Sequence, residues 1–159
     1  MRGGRFSVKT YPLRVEIFFW ICYKLLMVKF NEVMDRERAK KISPVVLAFI
    51  GDAAYSLYIR EGLIFSSDHK TGVLQKLASE RVSAKGQAVL FARIESMLTE
   101  EEREIYLRGR NAKKPTRSKN ASVAEYNVST GFEAVVGFLY LSGDYARIDQ
   151  LLSGNKNED

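Results

Sequence analysis

At 159 residues, with 46% apolar and 28% charged residues, the chain has the composition of one globular domain with its own core and little room for two. A formal charge of +6 and a pI near 9.4 suit a polyanionic partner, such as nucleic acid or an acidic membrane surface. A single cysteine, Cys22, and a single histidine, His69, exclude an internal disulfide and the usual Cys/His zinc geometries. Any resident metal must then be a hard, oxygen-seeking ion, magnesium or manganese.

Residues 1–33 stand apart as an N-terminal extension. A basic opening (Arg2, Arg5, Lys9, Arg14) leads into VEIFFWICYKLLMV, which Glu16 and Lys24 interrupt. The run falls short of the roughly 20 apolar residues that a spanning helix needs. No small-residue cleavage site follows, which argues against a secretory signal. The segment reads as an amphipathic appendage, or as an extension upstream of a later start at Met27 or Met34. Membrane attachment through residues 15–28 is the rival reading, and no membrane partner is expected.

Residues 34–153 read as helices only, a domain followed by a polar tail over 154–159. Ser43 and Pro44 start a helix that Gly62 closes. Asp68 or His69 opens another through Arg81, and Ser83 caps a third through AKGQAVLFARIESM. Thr99 and Glu102 form a capping box for a short helix ending at Gly109. A basic loop, RNAKKPTRSKNA, comes next. Helices then run to about Tyr126, from Ser129 to Leu141, and from Tyr145 to Leu152. No strand-period run or repeat interrupts this pattern, and the fold class is all-α.

Two acids sit inside apolar helical stretches: Asp52 in VVLAFIGDAAYSLYI and Glu133 in STGFEAVVGFLYL. At 3.6 residues per turn Asp52 shares a face with Val45, Ala48, Tyr55 and Ser56, and Glu133 with Val136, Gly137 and Tyr140. A carboxylate on a core-facing stripe costs several kcal/mol unless a cation or hydrogen-bond donor meets it. Two such acids facing a shared divalent ion satisfy that need. Gly51, beside Asp52, costs about 1 kcal/mol in a helix interior, so a close approach there is expected. Competing readings stay open. Thr130-Gly-Phe-Glu133 also fits a capping box, and Asp52 could bond Tyr55 or a distant lysine.

Taken together, VLAFIGDAAYSLYI, VSAKGQA, LTEEEREIYLRGRNAK and YNVSTGFEAVVGFLYL resemble the catalytic domain of the ribonuclease III family, from about Ala39 to Leu152. The similarity is to the short form that carries this domain without a double-stranded-RNA-binding domain. The resemblance implies a helical bundle that forms a homodimer, with Asp52 and Glu133 as catalytic, metal-binding acids using Mg2+, for which Mn2+ could substitute. Larger members carry further acids where this chain has Ala48 and Thr130; the short form lacks them too. The implied activity is endonucleolytic cleavage of double-stranded RNA to 5′-phosphate and 3′-hydroxyl ends. From the short form, the implied substrate is precursor 23S ribosomal RNA in the cytoplasm, a step of ribosome biogenesis. The alternative is a non-catalytic dimer that binds structured RNA during ribosome assembly.

Six basic residues and no acid lie between Arg108 and Lys119, where Gly109 and Asn111 are expected to supply flexible turns. Lysines and arginines there would follow phosphates across an A-form duplex, which is recognised mainly by backbone and shape. Arg108, Arg110, Asn111, Lys113, Lys114, Arg117 and Lys119 are the expected RNA contacts. Lys85 in VSAKGQA is an eighth, with an exposed helix residue as its equal alternative.

Overall fold

The computed structural model of the protein describes residues 32–66, 68–113 and 121–153. The chain divides into two compact units, Met1–Glu32 and Val33–Asp159. Expectations for residues 1–31 and for the tail from 154 lie outside the described residues. No strand occurs among those described, so the fold is all-α as expected.

The helices are α1 (Arg36–Lys40), α2 (Pro44–Ser66), α3 (Thr71–Val82), α4 (Ala84–Ile94), α5 (Glu100–Arg110), α6 (Val123–Leu141) and α7 (Tyr145–Ser153), with a 3-10 turn over Glu95–Met97. Local chemistry sets many of their ends. Ser83 accepts from the Gly86 amide at the start of α4, and Thr99 and Glu102 make the expected capping box at α5. Gly143, at φ 74°, takes the left-handed residue after α6, where only glycine is unstrained.

α6 is the central helix. Residues 129–132 and 134–139 are all buried, mostly apolar side chains around the helix, as in a core helix. α2, α4 and α5 pack around it, and α7 folds back over its C-terminal end. The core between them holds Leu47, Tyr55, Phe91, Ile105, Phe132, Phe138 and Leu139. Phe91 stacks on Tyr106 at 4.1 Å between centroids, and Tyr55 meets Phe132 edge-on at 5.0 Å.

Four sequence expectations change. α6 is one helix of 19 residues, continuous through Ser129, and its true capping box is Ser122 with Glu125. Thr130 does not cap: its hydroxyl donates back to the Tyr126 carbonyl, 2.8 Å away within the same helix. Gly62 does not end α2, which continues to Ser66 and buries Leu63. α3 starts at Thr71, after an exposed, non-helical stretch over 68–70 that includes His69. Finally, Gly109 is not a loop hinge. It is buried in the last turn of α5, where an added Cβ would meet the Ala134 Cβ at 2.9 Å and the Thr130 carbonyl at 3.0 Å.

A buried ion pair fastens α7. Glu102, 1% exposed, receives Nε of Arg147 at 2.8 Å on one oxygen and Nη2 at 2.9 Å on the other. Arg147 also donates to the Met97 carbonyl at 2.7 Å. The same carboxylate accepts from the Thr99 amide, so one buried acid serves a helix cap and an interhelical fork together.

Candidate active site

α2 and α6 meet backbone to backbone. A Cβ built on Gly51 would lie 2.7 Å from the Glu133 carbonyl carbon and 2.8 Å from the Gly137 amide nitrogen. A Cβ built on Gly137 would lie 2.9 Å from the Leu47 carbonyl carbon and 3.1 Å from the Gly51 nitrogen. No side chain larger than hydrogen fits on either side. Contacts run from Leu47 with Gly137, through Gly51 with Glu133, to Tyr55 with Phe132, so the helices are antiparallel and meet along i, i+4 rows.

At this crossing Asp52 and Glu133 stand on two helices whose backbones touch. Asp52 follows the contact glycine on α2, and Glu133 supplies the facing carbonyl on α6. Glu133 lies eleventh in its helix, where a capping role has no free amides to satisfy. The capping-box reading of Glu133 therefore fails. Tyr55 does not hold Asp52 either. Its hydroxyl donates to the Arg81 carbonyl at 3.3 Å, and burial pushes its pKa up to about 12, against a smaller opposing effect of Arg81.

The expected burial of Asp52 is corrected. Glu133 is half-buried, but Asp52 is exposed, because the face of α2 next to it has no cover among the described residues. Val46 (55% exposed), Phe49 (82%) and Leu57 (51%) line that face at helical spacing. Asp52 stands at the border between this apolar strip and the buried row of Leu47, Gly51 and Tyr55.

The donor chemistry suits a hard divalent cation. Two carboxylates project from helices whose backbones touch, and carboxylate oxygen is the ligand such ions prefer. No cluster of three or more Asp, Glu, His or Cys side chains occurs among the described residues. Most of a bound ion's shell would fall to water and substrate oxygen.

The expected RNA contacts divide into four sets. Arg110, Asn111 and Lys113 are exposed at and beyond the end of α5, directly after Gly109, whose contacts lie on Thr130, Gly131 and Ala134 beside Glu133. Lys114, Arg117 and Lys119 lie outside the described residues. Lys85 is exposed near the start of α4 and faces the first turn of α6. There the Ser122 hydrogen bonds, and Lys85 to a smaller extent, hold the Glu125 carboxyl below its ordinary range. Arg108 differs from all of these: Nη1 donates to the Lys40 carbonyl at 2.8 Å and Nη2 to the Ile42 carbonyl at 3.1 Å.

Sequence reasoning missed the Ser122–Glu125 box, although S-x-x-E is readable, because the competing T-x-x-E nearer Glu133 took its place. It also missed the Gly109 and Gly131 contact between α5 and α6, which no spacing rule announces.

A family model described as the Ribonuclease III domain matches residues 45–144, a span that holds both acids and the glycine crossing. The chain belongs to the ribonuclease III family and is an endoribonuclease acting on RNA. Its curated relatives include proteins named Mini-ribonuclease 3, the short form of that family. The one from Thermoanaerobacter sp. (strain X514) is 44% identical over 122 residues, covering 77% of this chain and 86% of that protein. The one from Streptococcus pneumoniae is 48% identical over 114 residues, covering 70% and 89%. A crystal structure of a Fusobacterium nucleatum protein superposes with a TM-score of 0.64 at 31% identity, covering 71% of this chain and 90% of that one. No described helix is long and apolar enough to cross a membrane; residues 15–28 lie outside that statement.

Proposed function

We propose that the chain is a homodimeric, magnesium-dependent endoribonuclease that cuts double-stranded RNA, with precursor 23S ribosomal RNA as its cytoplasmic substrate. One observation carries the reading: the Gly51–Gly137 contact brings the two acids embedded in apolar helical runs to a single crossing of α2 and α6. A helix pair built only for packing could use alanine or leucine at the half-buried position of Glu133, and a catalytically idle RNA binder has no use for a carboxylate there.

Asp52 and Glu133 would hold the ion, Mg2+ or its substitute Mn2+. When bound, it supplies Lewis-acid activation of water and charge neutralisation at the phosphate. The acids themselves orient that charge from two rigid helices. The half-buried position of Glu133 limits competing water, and the exposure of Asp52 leaves the substrate side open. Arg110, Asn111 and Lys113, with Lys114, Arg117 and Lys119 beyond them, hold the phosphates of the duplex, and Lys85 adds a contact from α4. Hydrolysis at the 3′ oxygen leaves 5′-phosphate and 3′-hydroxyl ends.

A second copy fits the uncovered strip of α2. Val46, Phe49 and Leu57 expose a connected apolar face at i, i+3, i+11, the kind of surface a soluble chain buries in a symmetric contact. Because Asp52 borders that strip, two copies meeting there bring two acid pairs to one duplex, one for each strand.

The test is a defined RNA duplex incubated with and without magnesium, with single-stranded RNA and duplex DNA alongside. Cleavage of both strands of the RNA duplex only, and only with the ion, is the expected result. Equal cutting of single strands, or metal-independent cutting, would overturn it.

A further inference from the structure

Arg108 is the one basic residue of the segment from 108 to 113 whose guanidinium is spent inside the protein. It lies on the same face of α5 as Glu101 and Glu104, at spacings of seven and four residues. Both of those acids bind α1. Glu101 meets Arg36 at 2.8 Å, and Glu104 meets Lys40 at 3.1 Å. Charge therefore reverses along one stripe: acids face the cations of α1, and Arg108 faces the carbonyls left at its C-terminal end. The carbonyl of the last α1 residue has no amide four residues on within the helix to pair with, and the turn that follows adds a second carbonyl. The two Nη donors of Arg108 reach Lys40, the last residue of α1, and Ile42, in the turn before Pro44. α2 begins there, and within two turns its Leu47 and Gly51 backbones are in contact with α6. On the other side, the adjacent Gly109 seats α5 against Thr130 and Ala134, flanking Glu133.

We propose that Arg108 is a positioning residue whose planar fork fixes the start of α2, and so the register of Asp52 against Glu133, and that it does not contact phosphate. The proposal rests on the reading of Asp52 and Glu133 as the metal-holding pair. A displacement of about 1 Å in such a pair lowers the rate by about a hundredfold without touching the substrate. Lysine keeps the charge of Arg108 but presents no fork, so it cannot serve two carbonyls in fixed directions.

The test compares Arg108→Lys and Arg108→Gln with the parent in two measurements. The first is the salt dependence of duplex binding without cleavage. The second is the single-turnover cleavage rate at saturating duplex as magnesium is varied. The expected result is an unchanged salt slope in both variants, a cleavage rate lowered about ten- to a hundredfold in both, and a shift of half-saturation to higher magnesium. A salt slope reduced by about 0.7–0.9 in Arg108→Gln and restored in Arg108→Lys would make Arg108 a phosphate contact and overturn the proposal. So would parent-like rates in both variants, or a lowered melting temperature with unchanged magnesium dependence. Asp52→Asn, run in parallel, tests the underlying reading by itself: parent-like cleavage by that variant overturns the acid pair, whatever the Arg108 variants do.

Discussion

Gly51 and Gly137 leave α2 and α6 no side chain between them: a Cβ on Gly137 would lie 3.1 Å from the Gly51 nitrogen, and one on Gly51 would lie 2.8 Å from the Gly137 nitrogen. Asp52 follows the first of these glycines in sequence, and the Glu133 carbonyl faces it across the contact. In the proposed site the glycines therefore matter as much as the acids.

Asp52→Asn and Glu133→Gln are each expected to abolish magnesium-dependent cleavage while leaving the helical fold and its melting temperature near those of the parent. Both changes keep shape and remove the charge that attracts a divalent ion. Turnover in magnesium and thermal melts check this together. A Glu133→Gln variant that cleaves normally would remove Glu133 from the site.

Gly51→Ala and Gly62→Ala should act in opposite directions although both glycines lie in α2. At residue 51 the methyl meets backbone that cannot swing aside, and overpacking of this kind costs about 1–3 kcal/mol. At residue 62 an added Cβ has nothing within 4 Å, and alanine in a helix interior is better than glycine by about 0.8–1 kcal/mol. Urea midpoints of the two variants should fall on either side of the parent's.

Arg147→Met should destabilise the fold by about 3 kcal/mol, the lower end for stripping one partner from a buried pair, since the Arg147 side chain keeps 17% exposure. The same pair sets a pH dependence. Burial pushes the Glu102 carboxyl up, but Arg147 and the Thr99 amide together outweigh it and hold the group below the ordinary carboxylate range. A carboxyl lowered in the folded state adds stability that is complete above its unfolded-state pKa and is lost as pH falls through the folded one. Acid should therefore weaken the parent more steeply than Glu102→Gln, and melts across the acid range would show the difference.

In the proposed dimer, Phe49→Asp is expected to leave a monomer where the parent pairs, with little loss of melting temperature at low concentration, because Phe49 is 82% exposed and contributes little to its own core. Sedimentation reads the assembly directly. A variant that stays dimeric would move the interface off this face.

Replacing Lys113, Lys114 and Lys119 by glutamine should weaken duplex binding and flatten its salt dependence, by about 0.7–0.9 in slope for each phosphate that is no longer neutralised. Binding measured across a salt series checks this, and an unchanged slope would leave the segment as a solvated loop.

What the sequence determined by itself was local or carried by short motifs. Ser83 and the Thr99–Glu102 box start their helices because a side-chain oxygen satisfies amides three residues away. The all-helical class followed from periodicity. The Gly51-Asp52 pair announced a close approach, since a glycine inside an apolar helix needs a reason. Tertiary structure decided the rest. The Thr130-Gly-Phe-Glu133 signal is as good a cap on paper as Ser122–Glu125, but a cap contributes only about 1 kcal/mol. Continuing α6 through that point buries residues 129–132 and 134–139 against three other helices, which outweighs it. Asp52 looked buried by spacing, yet which side of an apolar helix is covered depends on where the rest of the chain lies. Arg108 looked like its basic neighbours, and only the fold brings it, across more than sixty residues of chain, to the carbonyls of Lys40 and Ile42. Hydrogen bonds between distant segments leave no periodic trace in the sequence.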